Sequence, residues 1–267
     1  MYRRLLDAAI IILVLMQLWQ WWPVTHEEFA EPDDTTTLFE AVEEARKNPT
    51  ALHYNESEID LALSDLTFAT TSDPRSPTDI FTQARRSTVV LIGYDEWGDR
   101  ILGAGVVLTA DGLIATNEHI VSGLTELYVS LPNQTDMIPV DTILYSDFAN
   151  DLALLRIDNT SMISAVLSPN EPAIGDPIFT VGHPELFLYS LSDGILSGTR
   201  TYSKAGGRFL QMTAPVNFGS SGGPVFNQAG ALVGLVSWSL EYEQNIQNVE
   251  GLHFAVPITA IVELFSK

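Results

Sequence analysis

From about Asp79 onward the chain is a succession of short apolar runs bounded by turn residues, a pattern that leaves room for little but a β-sheet fold. Residues 89–92, 101–108, 113–116 and 127–131 have the length and β-branched content of strands, as do 151–157, 177–181, 209–214 and 231–238. Asp111-Gly112 falls between two of these runs, where a hairpin turn would place it. No long helix-period segment separates them, which argues for all-β sandwiches or barrels over a parallel α/β sheet. Residues 161–174 read as a connector between two halves. The 257–265 segment has apolar spacing suited to a closing helix.

Composition narrows the chemistry. The 267 residues are 46% hydrophobic, enough for a packed body. Acidic residues outnumber basic ones 34 to 13, a net charge of −21. Such a surface repels phosphate backbones, so nucleic acid is not an expected partner. There is no cysteine, which excludes disulfides, thiolate nucleophiles and cysteine metal sites together. The five histidines are scattered and no His-Glu-x-x-His is present, so neither a metal site nor a cofactor is expected.

The N-terminal part is a different material. Arg3 and Arg4 precede an apolar run over 5–22, broken by Asp7, Gln17 and Gln20. At about 1.5 Å per residue the run spans roughly 27 Å as a helix, enough for a thin bilayer. Trp19, Trp21 and Trp22 suit the membrane interface, and the acidic Glu27, Glu28, Glu31, Asp33 and Asp34 follow. The positive-inside rule then keeps the N-terminus in the cytoplasm and exports the rest. A cleaved signal peptide is the rival reading, but no small-x-small site follows Trp22. Residues 1–22 are therefore expected to be a cytoplasmic tip and single-pass anchor. Residues 23–78, acidic and interrupted by Pro32, Pro49, Pro74 and Pro77, read as a stalk or linker. A helix is expected over 38–47, with Thr37 available as its N-cap, and a second short one over 59–66. Either could pack on the main domain, assigned to 79–267.

Three segments carry chemistry. In the first, Thr116-Asn117-Glu118-His119 ends a strand, where a ring can face a cleft. In the second, Asp151 heads the apolar run Leu152-Ala153-Leu154-Leu155. A carboxylate there is costly to bury unless it accepts hydrogen bonds, and a histidine ring is a natural donor. In the third, Gly219-Ser220-Ser221-Gly222-Gly223-Pro224 combines a hydroxyl with glycines that permit a sharp turn. Acyl transfer needs that arrangement, with backbone N–H groups aimed at the developing oxyanion. Each segment alone has an ordinary structural explanation: a packed histidine, a turn-capping Asp, a Gly-Ser loop. In the order His, Asp, Ser, each in a strand–turn context, they do not.

Together these segments resemble the trypsin-like superfamily, and within it the HtrA (DegP-like) branch of bacterial envelope proteases. That family's Thr-Asn-x-His-Val, Asp-Leu-Ala-Leu-Leu and Gly-Asn-Ser-Gly-Gly-Pro signatures are similar to residues 116–121, 151–155 and 219–224. Val181-Gly182-His183-Pro184, Asp193-Gly194-Ile195-Leu196-Ser197 and Phe254-Ala255-Val256-Pro257 match as well. The resemblance implies two six-stranded antiparallel β-barrels, about 79–165 and 172–262, with the site between them. It implies Ser221 as nucleophile, His119 as base and Asp151 as the acid that orients it, with the N–H groups of Gly219 and Ser221 as oxyanion hole. Ser237, Trp238 and Ser239 match the strand that pairs with extended substrate. Polypeptides are then the substrates, a homotrimer is the implied assembly, and the bacterial inner membrane, with the body on the periplasmic side, is the implied location.

The chain also departs from the pattern. Ser220 stands where the family usually has Asn, at a position whose backbone matters more than its side chain. Residues after Ser221 are needed to finish the second barrel, so no PDZ domain is expected. Pro215, six residues before the nucleophile, occupies the place of the carboxylate in enzymes specific for Arg or Lys, so a small or medium apolar residue is the expected cleavage-site preference. Two rival readings have discriminating features. A catalytically silent scaffold would not keep all three catalytic positions. An α/β-hydrolase esterase would have the order Ser, Asp, His, although Gly219-Ser220-Ser221-Gly222-Gly223 superficially fits its elbow. A base that must be neutral also implies loss of activity on acidification.

Overall fold

The computed structural model describes residues 34–59, 63–132, 134, 136–158, 162–201, 207–237 and 252–266. The expected anchor over 5–22 lies outside the described residues, among which no helix is long and apolar enough to cross a membrane. The expected helix over 59–66 lies partly outside them; just before it, Glu56–Glu58 forms a 3-10 turn.

The first half begins where Ser76 caps a helix, its Oγ accepting from the Asp79 N–H at 3.1 Å, with Pro77 in the first turn where a missing N–H costs nothing. That helix, α2 (Pro77–Arg85), follows α1 (Asp34–Ala45) and the two-residue strand β1 (His53–Tyr54). The strands are β2 (Thr88–Asp95), β3 (Arg100–Val107), β4 (Leu113–Thr116), β5 (Leu124–Ser130), β6 (Met137–Pro139), β7 (Thr142–Asp147) and β8 (Leu152–Arg156), with the one-turn helix α3 (Glu118–Val121) after β4. They form one sheet in the order β1-β7-β8-β4-β3-β2-β5-β6. The second half comprises β9 (Pro177–Gly182), β10 (Ser190–Thr201), β11 (Arg208–Met212), β12 (Pro224–Asn227), β13 (Leu232–Ser237) and β14 (His253–Pro257). These close into a six-stranded barrel, β10-β11-β14-β13-β12-β9.

The second half thus has the expected closed barrel, while the first is an open eight-stranded sheet. The difference lies at its edges: β1, from the region read as a stalk, pairs in parallel with β7, and β6 pairs with β5, so the two edges that would have met are already occupied. The closing helix is also shorter than the 257–265 spacing suggests. It consists of α4 (Thr259–Val262) and a 3-10 turn over Glu263–Ser266.

Three apolar clusters hold this frame. Val89, Leu91, Ile114, Val129 and Leu155 fill the inside of the first sheet, and Ile178, Leu210, Met212, Val225 and Val236 fill the barrel. A third joins the halves across α2, with Ile80, Leu113 and Leu154 packed in one cluster with Phe226, Leu232 and Val256.

The outer face of β2 is apolar too, which explains its unbroken run Val89-Val90-Leu91-Ile92: Val90, Ile92 and Tyr94 lie in a fourth cluster beneath Leu38 and Val42 of α1. The helix starts earlier than Thr37, at Asp34. Arg46, just past its end, bonds Glu126 at 3.0 Å and lies 3.8 Å over the Tyr94 ring. This docking is testable. Leu38 is 4% exposed, so Leu38→Ala is expected to cost about 2–4 kcal/mol. For a domain of this size that lowers the melting temperature by roughly 5–10 °C, read by calorimetry. A change below about 1 °C would mean that α1 does not pack there in solution.

Candidate active site

Asp151 is the node of the site. It heads β8 in a left-handed conformation (φ 50°), one that Asp tolerates better than most residues, and is 3% exposed. Its carboxylate accepts from three donors among the described residues. The His119 backbone N–H reaches Oδ1 at 3.1 Å, and the His119 Nδ1 lies 2.9 Å from Oδ1 and 3.0 Å from Oδ2. The Ser237 hydroxyl, at the end of β13, donates to Oδ2 at 2.6 Å. A buried carboxylate is stable only when hydrogen-bonded in this way. Because carboxylate oxygens accept, Nδ1 of His119 carries the ring proton, and Nε2 of the neutral ring is left with its lone pair.

His119 owes its position to the end of β4. Asn117 turns the chain (φ −85°, ψ 152°) into α3, and its side-chain amide donates to the Asp151 carbonyl at 3.0 Å. The turn thereby ties the histidine segment to the aspartate segment through the backbone as well as the side chains. The His119 side chain stays 29% exposed, on the open side of the site.

The 217–223 turn comes from the barrel and is pinned to the first sheet. The Ala104 N–H of β3 donates to the Ser221 carbonyl at 2.8 Å, while the Gly222 N–H donates to Val236 and the Val236 N–H to Gly223. Gly222 has φ 81°, and a Cβ there would strike the Ala104 carbonyl and the Thr116 hydroxyl. Only glycine fits where the two halves meet. Thr116 lies three residues before His119, and Val236 immediately precedes Ser237, so Gly222 touches both arms of the site. Gly219, at φ 92°, rests against the His183 carbonyl. Among the described residues the N–H groups of Gly219 and Ser221 have no acceptor, and the Ser221 hydroxyl makes no hydrogen bond.

Residues 103–235 match the family described as the trypsin-like peptidase domain. The chain carries a trypsin-like peptidase domain. Its relatives include serine endoproteases named DegS, and its structural neighbours include HtrA-type proteases. The serine endoprotease DegS of Haemophilus influenzae is 36% identical over 172 residues, which is 62% of this chain and 49% of that protein. DegS of Escherichia coli is 31% identical over 173 residues, 63% of this chain and 48% of that protein. The chain thus spans about half the length of these DegS relatives. Among solved structures, the serine endoprotease from Yersinia pestis superposes with a TM-score of 0.60 at 28% identity, covering 73% of this chain and 67% of that one. The HtrA-type protease AlgW with tripeptide superposes with a TM-score of 0.61 at 25% identity, covering 72% and 63%.

Of the residues singled out in the sequence, His119, Asp151 and Ser237 are joined directly in this peptidase domain, and Ser221 stands on the turn beside them. Pro215 is exposed, and its carbonyl accepts from the Ser192 hydroxyl of β10 at 2.7 Å. Trp238 and Ser239 lie outside the described residues. Two contributions escape a reading of spacing. Ser237, expected only as part of a substrate-pairing strand, sends its side chain to Asp151, and Asn117 bonds the Asp151 backbone. For Asn117 the resemblance to the Thr-Asn-x-His signature marked the position, but neither it nor the strand pattern at Ser237 showed that these side chains bond the Asp151 segment.

Proposed function

We propose that the protein is a serine endopeptidase that hydrolyses polypeptides through an acyl-enzyme. Ser221 Oγ attacks the scissile carbonyl while Nε2 of His119 takes its proton, then returns that proton to the leaving amine; water repeats the cycle to release the acid. Asp151 keeps Nδ1 protonated and stabilises the imidazolium. The N–H groups of Gly219 and Ser221 receive the oxyanion, and Ser237-Trp238-Ser239 pairs with extended substrate. The reading rests on one observation above all: the three-donor clasp on Asp151 fixes the His119 tautomer that a base needs. Pro215 offers no carboxylate to a cationic side chain, so a small or medium apolar residue is favoured at the cleavage point.

A fluorophosphonate probe tests the reading, because it requires an activated serine and an oxyanion hole together. Labelling of Ser221 supports the endopeptidase. A folded protein that stays unlabelled would instead favour a protease-fold scaffold that binds chains without cutting them.

The catalytic body is assigned to 79–267, with halves at 79–165 and 172–262; α1 and β1 of the 23–78 segment pack on its first sheet, and residues 1–22 are the anchor. The basic flank Arg3-Arg4 and the apolar 5–22 run support an inner-membrane position with the peptidase domain outside the cytoplasm. The resemblance to bacterial envelope proteases gives the same direction, and misfolded envelope proteins or a regulatory target are the substrates it suggests. The full chain is then expected in the membrane fraction after carbonate washing, and at the mass of a homotrimer in detergent. Recovery in the soluble fraction would count against the anchor.

A further inference from the structure

His183 is a fully buried histidine that the reaction above does not use. It follows β9, and its ring is clasped at both nitrogens. The Tyr189 N–H lies 3.1 Å from Nδ1, and the Val89 carbonyl lies 3.2 Å from Nε2. Since an N–H can only donate, Nδ1 is the acceptor and Nε2 carries the proton. One neutral ring therefore joins β2 of the first sheet to the return of its own loop. Burial pushes its pKa down to about 4, which keeps that neutral form at neutral pH.

The loop it closes is strained. Glu185, Leu186 and Tyr189 all have positive φ (50°, 69° and 56°), and none is glycine. Such residues persist only where their surroundings hold them, and they cluster at functional sites. This loop also supports the nucleophile turn. The Glu185 N–H donates to the Phe218 carbonyl at 2.9 Å, the His183 carbonyl abuts Gly219, and Gly182 lies against Ser220. The Phe218 carbonyl thus points into the loop, and the Gly219 N–H of the same peptide unit faces the opposite way.

We infer that His183 is a positioning residue, whose Nδ1, accepting from the Tyr189 N–H, holds the strained 183–189 loop as the support that keeps the Gly219 N–H directed at the substrate's carbonyl oxygen. The inference rests on the serine-endopeptidase reading. Charged groups nearby are the Arg85 guanidinium of α2, 5.0 Å from the Tyr189 ring centroid, and the exposed Glu185 carboxylate of the loop itself. The Tyr189 ring meets the His183 ring edge to face at 4.9 Å. β2 and the nucleophile turn contribute Val89 and residues 218–220, none of which titrates below neutrality.

Three substitutions in the full chain separate the two ends of the clasp. In His183→Asn, Oδ1 replaces Nδ1 as acceptor for Tyr189 but nothing reaches Val89. In His183→Gln the amide reaches Val89 but does not serve Tyr189, and His183→Leu serves neither. At pH 8, His183→Asn is expected to keep kcat within about threefold of wild type. His183→Gln and His183→Leu are expected to lose about 10- to 100-fold in kcat with KM nearly unchanged, since the oxyanion contact is made in the transition state. The loss of fluorophosphonate labelling rate should follow kcat. A merely structural histidine would lower the melting temperature without that split between kcat and KM, and kcat within threefold of wild type in folded His183→Gln would overturn the inference. If His183→Leu does not fold, the Asn and Gln pair decides. Wild type that neither labels nor hydrolyses would overturn the endopeptidase reading itself, a distinct result.

A pH series gives a second readout. The unfolded ring protonates near 6.5 and the folded one near 4, so the unfolded chain binds the extra proton between these values. Stability from this group is complete above pH 6.5 and lost as pH falls toward 4. The melting temperature of wild type should therefore fall more steeply over that window than that of His183→Asn, whose amide does not titrate. Equal slopes would show that the clasp does not depend on a neutral ring.

Discussion

Ser221→Ala is expected to lower kcat for peptide hydrolysis by on the order of 10⁶ while leaving the melting temperature almost unchanged. The separation follows from how Ser221 is held. Its hydroxyl makes no hydrogen bond among the described residues, so removing it leaves no buried partner unsatisfied. What the position contributes to the fold is backbone: its carbonyl accepts from Ala104, and the flanking Gly222 and Gly223 bond Val236. Alanine keeps all of these. The measurement is turnover of an unfolded protein substrate beside mass spectrometry after fluorophosphonate treatment, where the probe's added mass should appear on wild type and vanish from the variant. Adding His119→Ala to Ser221→Ala should cost little more, because residues that act as a unit are not additive. Hydrolysis surviving in Ser221→Ala above about a thousandth of wild type, in a preparation free of other proteases, would move the nucleophile elsewhere.

Much of the strand framework was legible in the sequence because short apolar runs between turn residues are a local signal. The 113–116 and 177–181 runs fall on β4 and β9 within a residue or so at either end. The less apolar strands were not readable in the same way. β10 alternates Ser, Leu, Ser, Asp and Gly and leaves Leu191 and Ile195 exposed, so it lacks the density of apolar residues that marks its neighbours. β1 is two residues long and is placed by its parallel pairing with β7, with no apolar run of its own to mark it. The open form of the first sheet follows from that same long-range pairing, which no window of sequence contains. At the site, residue types and order pointed to His119, Asp151 and Ser221 because the chemistry restricts which side chains can serve. The support beneath them was not legible. The link from Asn117 to Asp151 and the clasp of His183 on Val89 and Tyr189 join segments distant in the chain through side chains whose partners no stretch of sequence contains, although both residues lie in motifs that the resemblance matched.

The site's geometry makes its sharpest demand at Asp151. Asp151→Asn is a clean substitution there, because the position has φ 50° and asparagine tolerates the left-handed region as well as aspartate does. Shape and backbone are kept; only the acceptor pattern changes. Three donors converge on the carboxylate: the His119 N–H, the His119 Nδ1–H and the Ser237 hydroxyl. An amide has one oxygen to offer and presents its NH₂ where the second oxygen was. If that NH₂ faces His119, Nδ1 must accept, the ring proton moves to Nε2, and the base can no longer take a proton from Ser221. If the NH₂ faces Ser237 instead, the hydroxyl must turn away from its 2.6 Å contact and the imidazolium loses its full counter-charge. The first arrangement leaves the serine hydroxyl free to rotate its own proton onto another acceptor, so both routes break catalysis and not the fold. The expected loss in kcat is on the order of 10⁴ at pH 7–8, with KM within a few-fold. Nitrogen-15 spectra of the His119 ring, which distinguish a protonated Nδ1 from a protonated Nε2, would identify the route. A folded Asp151→Asn protein with kcat within tenfold of wild type would show that the base is oriented without this carboxylate, and the clasp on which the proposed function rests would then be structural alone.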